Sequence, residues 1–179
     1  YTTKHLERAI DTGDMEDIRR IREELIQDSK AEDPEKAVDQ AGIAHVKKLY
    51  LEAYYAGKPT EELERIAVEI FGADENPGPT WVQKDRGAAL YDALEAYDAQ
   101  AANAAIAELK ELGRAEKNIA TSITNKYKKA LLKAYDSGDL ATVDRIMVLL
   151  AQLDLYTSKG MPYYTEQRLW DWILEKESD

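Results

Sequence analysis

Residues 117–138 read KNIATSITNKYKKALLKAYDSG, and residues 36–57 read KAVDQAGIAHVKKLYLEAYYAG. In the first stretch Ile119, Ile123, Tyr127, Leu131 and Ala134 recur at the spacing that gathers side chains on one face of an α-helix. Gly138 closes that helix, since glycine accepts the left-handed conformation of a helix end without a Cβ penalty. Laid over each other without a gap, Lys36, Lys47, Lys48, Leu51, Ala53, Tyr54 and Gly57 fall on Lys117, Lys128, Lys129, Leu132, Ala134, Tyr135 and Gly138. Upstream, at a slightly different offset, Leu6, Ala9, Asp14 and Leu25 fall on Leu90, Ala93, Asp98 and Leu109. A self-similarity of this kind is the signature of a repeated helical unit.

Working outward, each copy reads as two helical hairpins. Leu6, Ala9 and Ile10 lead to a turn at Gly13, and Ile18, Ile21, Leu25 and Ile26 form the next amphipathic stripe. Asp33 before Pro34 starts the following helix, the carboxylate as cap and proline in the first turn. Thr60 is expected to cap Glu61–Phe71, with Leu63, Ile66, Ala67 and Ile70 as its apolar face. In the second copy Leu90, Ala93, Leu94 and Tyr97 precede a break near Asp98, and Ala102, Ala105, Ile106 and Leu109 continue to Gly113. After the long helix, Val143, Ile146, Met147, Leu150 and Leu153 form the last stripe of the copy. GADENPGPTW is the one concentrated Gly/Pro stretch and reads as a linker. Residues 163–176 read as a final helix. The fold expected is therefore all-α: paired helical hairpins, as an α-solenoid-like array or a compact bundle. Its parts are a half at 4–71, a linker at 72–87, a half at 88–154 and a C-terminal extension at 155–179.

Composition bounds the function. With 24 Lys and Arg against 35 Asp and Glu, the chain carries a net charge of -11, a field that repels phosphate backbones and anionic membranes. No direct nucleic-acid partner is expected. A local strip of Lys126, Lys128, Lys129 and Lys133 is the exception, and charge at helical spacing is ordinary solvated surface. No apolar run approaches the ~20 residues that span a bilayer, so no membrane partner is expected either. The absence of cysteine removes thiolate catalysis and cysteine-ligated zinc. A cytoplasmic location fits. The first residue, Tyr1, is not methionine, and a processed product or an excised domain is the expectation.

Two turns, DTGD at 11–14 and DSGD at 136–139, raise the question of a ligand loop. Neither has the spacing of a calcium loop, and one glycine among carboxylates makes a poor phosphate cradle. Asp14 and Asp139 instead suit the cap of the following helix. His5 and His45 lack metal-ligand spacing, and no nucleotide-binding, zincin or serine-hydrolase motif occurs. No enzyme activity and no cofactor is expected. The residues that could face a partner are aromatic: Tyr50, Tyr54 and Tyr55 on one long helix, Tyr127 and Tyr135 on its counterpart, and Trp170 and Trp172 near the C-terminus. Tyrosine offers contact area at little entropic cost, and packing between hairpins is the competing use of the same rings. Trp170 and Trp172, two residues apart, cannot both point straight into a core.

The A-x-x-x-G-D turns, ending in GDM at 13–15 and GDL at 138–140, resemble those of tetratricopeptide-type and other α-solenoid repeats. The spacing here is nearer 40 residues than 34, and the tryptophan–leucine–glycine–tyrosine pattern is missing. The stretch IATSITNKYKKALLKAYDSGDLATVDRIMVLLAQLDLY with the following TEQRLWDWI resembles a helical segment of large phage and prophage proteins of gut Firmicutes. Ser122–Thr124, Tyr127–Lys128 and Trp170–Ile173 carry that resemblance, which implies a structural or assembly module, virion-associated if phage-encoded, and no catalytic residue. The function expected is a non-catalytic interaction or assembly module with a protein or peptide partner. An acidic inhibitor or nucleic-acid mimic, and an enzyme with an unrecognised carboxylate site, are the alternatives.

Overall fold

Short capped helices joined by tight turns follow from the pattern of single apolar stripes, because each stripe needs a neighbour to cover it. The computed structural model describes residues 2–74 and 77–177, and the fold is all-α. Two compact units divide the chain, residues 1–82 and 83–179.

In the first unit, α1 (Thr3–Thr12), α2 (Met15–Asp28) and α3 (Pro34–Tyr55) pack on one another, and α4 (Glu61–Arg65) continues into a π-helical turn over Ile66–Ile70. The single α-helix expected over Glu61–Phe71 is thus widened in its second half, and Thr60 precedes it without a side-chain cap bond, its side chain bonding Tyr50 instead. Helix starts are set by side chains: Asp14 Oδ1 accepts from the Glu16 and Asp17 amides at 3.1 and 3.2 Å, and Asp33 Oδ1 from Lys36 at 3.2 Å. His5, read from sequence as a surface or boundary residue, accepts from the Thr2 amide at 3.0 Å and so helps cap α1. Leu6, Ile10, Ile18, Val46, Ile66 and Phe71 fill the core. At Gly42 the chain's single phenylalanine lies so close that a Cβ would overlap the edge of the Phe71 ring. Arg22 grips Asp39 through two hydrogen bonds, 2.7 and 3.1 Å, and joins α2 to α3. His45 Nε2 meets Asp11 Oδ1 at 2.8 Å, between α3 and α1.

The Gly/Pro stretch corrects the expected linker. From Pro77 onward it is α5 (Pro77–Glu95), and only its first residues remain irregular; Glu75 and Asn76 lie outside the described residues. Proline is tolerated in a first turn because the amide it lacks has no partner within the helix. Gly78 is set by packing, since a Cβ there would overlap the Tyr50 hydroxyl and the Glu64 carboxylate. The boundary between the units falls inside this helix, after Val82.

The second unit holds the rest of α5, then α6 (Ala99–Glu111), α7 (Glu116–Asp136), α8 (Leu140–Ala151) and α9 (Glu166–Glu177). Asp98 and Asp139 cap α6 and α8, as Asp14 caps α2. Tyr97 takes a left-handed backbone, φ 54, at the place aligned with Gly13, φ 75. Both residues donate their amide to the carbonyl three residues back, Leu94 and Ile10, at 3.0 Å. The tyrosine is held by its ring, which is half-buried on the core and lies 4.0 Å from the Arg145 guanidinium carbon.

α9 begins at Glu166 rather than at 163, and residues 178–179 of the extension lie outside the described residues. Ahead of α9 the chain makes a small antiparallel bridge between Tyr156 and Pro162. The Asn103 amide fastens the approach to it, donating to the Gln152 carbonyl at 2.9 Å and accepting from the Asp154 amide at 2.8 Å. Leu169 and Ile173 are buried, and burying side chains of this size contributes about 2 kcal/mol each.

Candidate partner groove

α8, LATVDRIMVLLA, carries more apolar residues than one stripe needs. Val143, Ile146, Leu149 and Leu150 point into the core of the second unit. Leu140, Val148 and Ala151 fall on an adjoining exposed face, Met147 is buried at its edge, and Asp144 stands among them at helical spacing. Against this face α9 sets Glu166 and the Trp170 ring, leaving a groove of about 300 Å³ lined by Leu140, Val143, Asp144, Met147, Val148, Ala151, Glu166 and Trp170. Leu140 is 61% exposed and Val148 49%. Single exposed leucines are common on protein surfaces, whereas a contiguous apolar trough marks a surface that lacks a cover. Neither Asp144 nor Glu166 makes an ion pair among the described residues.

The seven aromatic residues expected to face a partner separate into three environments. Tyr50 and Tyr127 are buried and belong to the cores, which removes them from any contact surface. Tyr50 packs edge-on against Trp81 at 5.4 Å; burial raises its pKa, and the Glu64 charge adds to the shift. Tyr127 donates to the Leu94 carbonyl at 2.8 Å, and burial pushes its pKa up to about 12. Tyr54 and Tyr55, 42% and 49% exposed, are in edge contact at 5.4 Å at the end of α3. Tyr54 shares a face with Tyr50 but sits where the helix stops, so the same spacing gives one core and one surface ring.

Tyr135, Trp170 and Trp172 are half-buried against the core of the second unit. Leu169 and Ile173 occupy the centre of the buried face of α9, and the two tryptophans flank it on opposite sides. Trp170 meets the edge of Tyr135 at 6.2 Å, and Trp172 that of Tyr164 at 6.2 Å. Neither projects as a free anchor. Tyr164, not singled out from sequence, is buried with its hydroxyl donating to the Ala120 carbonyl and 3.0 Å from Thr124 Oγ1; burial moves its pKa to about 12.

The lysine strip is divided as well. Lys126 is ion-paired with Glu95 and lies 3.8 Å from the Tyr91 ring centre. Burial works against its charge, but Glu95 and the Tyr91 hydroxyl more than offset this and raise its pKa. Lys128 sits 5.6 Å from the Trp172 ring. Lys129 and Lys133 remain exposed beside Leu132, Asp136 and Ser137. Among the described residues no three of His, Asp and Glu gather as a metal site, and no helix is long and apolar enough to cross a membrane. Compared with known proteins, the chain matches no family model, no curated protein and no solved structure.

Proposed function

We propose that this chain is a non-catalytic helical interaction module and that the groove between α8 and α9 is its binding surface. The observation that carries the reading is the second apolar face of α8, where Leu140, Val148 and Ala151 stay exposed although the helix composition is that of a covered element. Both walls of the groove lie within the stretch that resembles segments of large phage and prophage proteins, which favours assembly of a larger structure as the setting.

Two measurements test this. A thermal-shift screen with nucleotides and divalent cations is expected to leave the melting temperature unchanged, and a rise of several degrees with either overturns the non-catalytic reading. Affinity purification from cells of the source organism, read by mass spectrometry, is expected to recover a protein with the natural chain and lose it with Leu140→Asp/Val148→Asp. Recovery of the same proteins by both overturns the assignment of the groove.

A further inference from the structure

Resting on that reading, we infer that the α8–α9 groove takes an amphipathic helix of a partner protein, with Lys or Arg set beside its apolar residues. The groove has the shape for it. From Leu140 to Ala151 its floor follows three turns of α8, a rise of about 16 Å at ~1.5 Å per residue. The backbone settles the conformation of the occupant. Both walls are helices whose amides and carbonyls are bonded within themselves, so an extended peptide finds no strand edge to pair with. A helix brings its own backbone bonds and needs from the groove only apolar contact, which Leu140, Met147, Val148 and Trp170 provide.

The charge settles the flanks. Asp144 lies among the apolar residues of α8 and Glu166 opposite on α9, both exposed, while no Lys, Arg or His lines the groove. An incoming Lys or Arg meets two carboxylates with no competing ion pair among the described residues, and the chain's net charge of -11 draws a cationic helix from further away. A second copy of this chain is disfavoured by the same acids, because a two-fold contact across the groove brings Asp144 and Glu166 of both copies into one interface.

The test is a selection of displayed random peptides on the whole chain, followed by fluorescence anisotropy of the best selected peptide at low and high salt. Enriched sequences are expected to carry Leu, Ile or Met at helical spacing with Lys or Arg between them. The selected peptide should lose about tenfold or more in affinity on Val148→Asp or Leu140→Asp, the scale of a contact at the centre of an interface. Asp144→Lys/Glu166→Lys should weaken it several-fold and flatten its salt dependence. Leu140→Asp places a carboxylate in the first turn of α8, where the helix favours it, and Val148→Gln serves as the uncharged variant with circular dichroism as the folding check.

Enrichment of acidic peptides, failure of any peptide to enrich, or indifference to Asp144→Lys/Glu166→Lys overturns the inference. So does sedimentation showing a dimer of the natural chain that Leu140→Asp disperses. The two readings fail separately: peptides sensitive to Leu140 and Val148 but without basic residues leave the groove standing and remove its cationic helix. A peptide insensitive to all four positions removes the groove as well.

Discussion

Replacing Gly42 by alanine sets two effects of opposite sign against each other in the middle of α3. Alanine in place of glycine inside a helix is favourable by about 1 kcal/mol, so on an open face the change would stabilise. The face is not open. A Cβ at this position would overlap the edge of the Phe71 ring, which is only 2% exposed. Overpacking of this kind costs roughly 1–3 kcal/mol, and expelling the ring altogether forfeits a burial contribution of about 2–3 kcal/mol. The net expectation is a loss of up to about 2 kcal/mol, read as a lower urea midpoint at unchanged slope. The partner mutation gives the reasoning its test. Phe71→Leu costs stability alone, but in its background Gly42→Ala should become neutral or favourable, a coupling of at least about 1 kcal/mol across the cycle. If Gly42→Ala raises the midpoint in the natural chain, or if the two changes simply add, the packing argument is wrong.

Further expectations concern charge and ionisation. Arg22→Ala leaves Asp39 half-buried without its two-pronged partner and should cost about 1–3 kcal/mol by denaturant titration, with Arg22→Lys recovering only part because an ammonium lacks the planar fork of two nitrogens that faces both carboxylate oxygens. Tyr127 and Tyr164 ionise near 12 when folded and near 10 when unfolded, so their contribution is full below pH 10 and is lost as the pH rises toward about 12. That loss is on the order of 2 kcal/mol for each ring, and tyrosinate absorbance should show at least these two residues titrating late, their appearance coinciding with loss of helix. Ionisation of all eleven tyrosines before unfolding would contradict it. At the acid end, the Glu116 carboxylate is held below its ordinary 4.5 by Lys110 and then by the Tyr156 amide. Its contribution is present above that value and is lost as the pH falls below it, and Glu116→Gln should make the acid transition shallower.

How much was legible in the residues depended on whether a feature is local. Caps at Asp14, Asp33 and Asp139 were readable because cap and capped amides lie within three residues of each other, whereas Asp98 read only as a break between helices. The start of α5 was not, because Pro77, Gly78 and Pro79 spell a linker until the first-turn tolerance of proline and the contact of Gly78 with Tyr50 and Glu64 are known. Tyr50 and Tyr54 were indistinguishable by spacing, since their difference is where the neighbouring helices end. The groove left a trace that went unread. Val143, Ile146, Met147 and Leu150 already complete a stripe, and the surplus of Leu140, Val148 and Ala151 was the signal of a second face.

Tyr97 carries one more consequence, for how this chain can vary. Its backbone is of the kind that glycine occupies freely and other residues enter at about 1–2 kcal/mol, while its ring is retained by the core and by Arg145. Two unlike classes of residue therefore satisfy the position, by separate routes. Aromatic residues keep the contact and bear the strain; glycine, and to a lesser degree asparagine and aspartate, release the strain and forgo the contact. A saturation mutational scan should return a two-peaked tolerance profile here, with valine, isoleucine and threonine in the trough between. A drift from tyrosine to glycine would then have to pass directly rather than through residues of intermediate size.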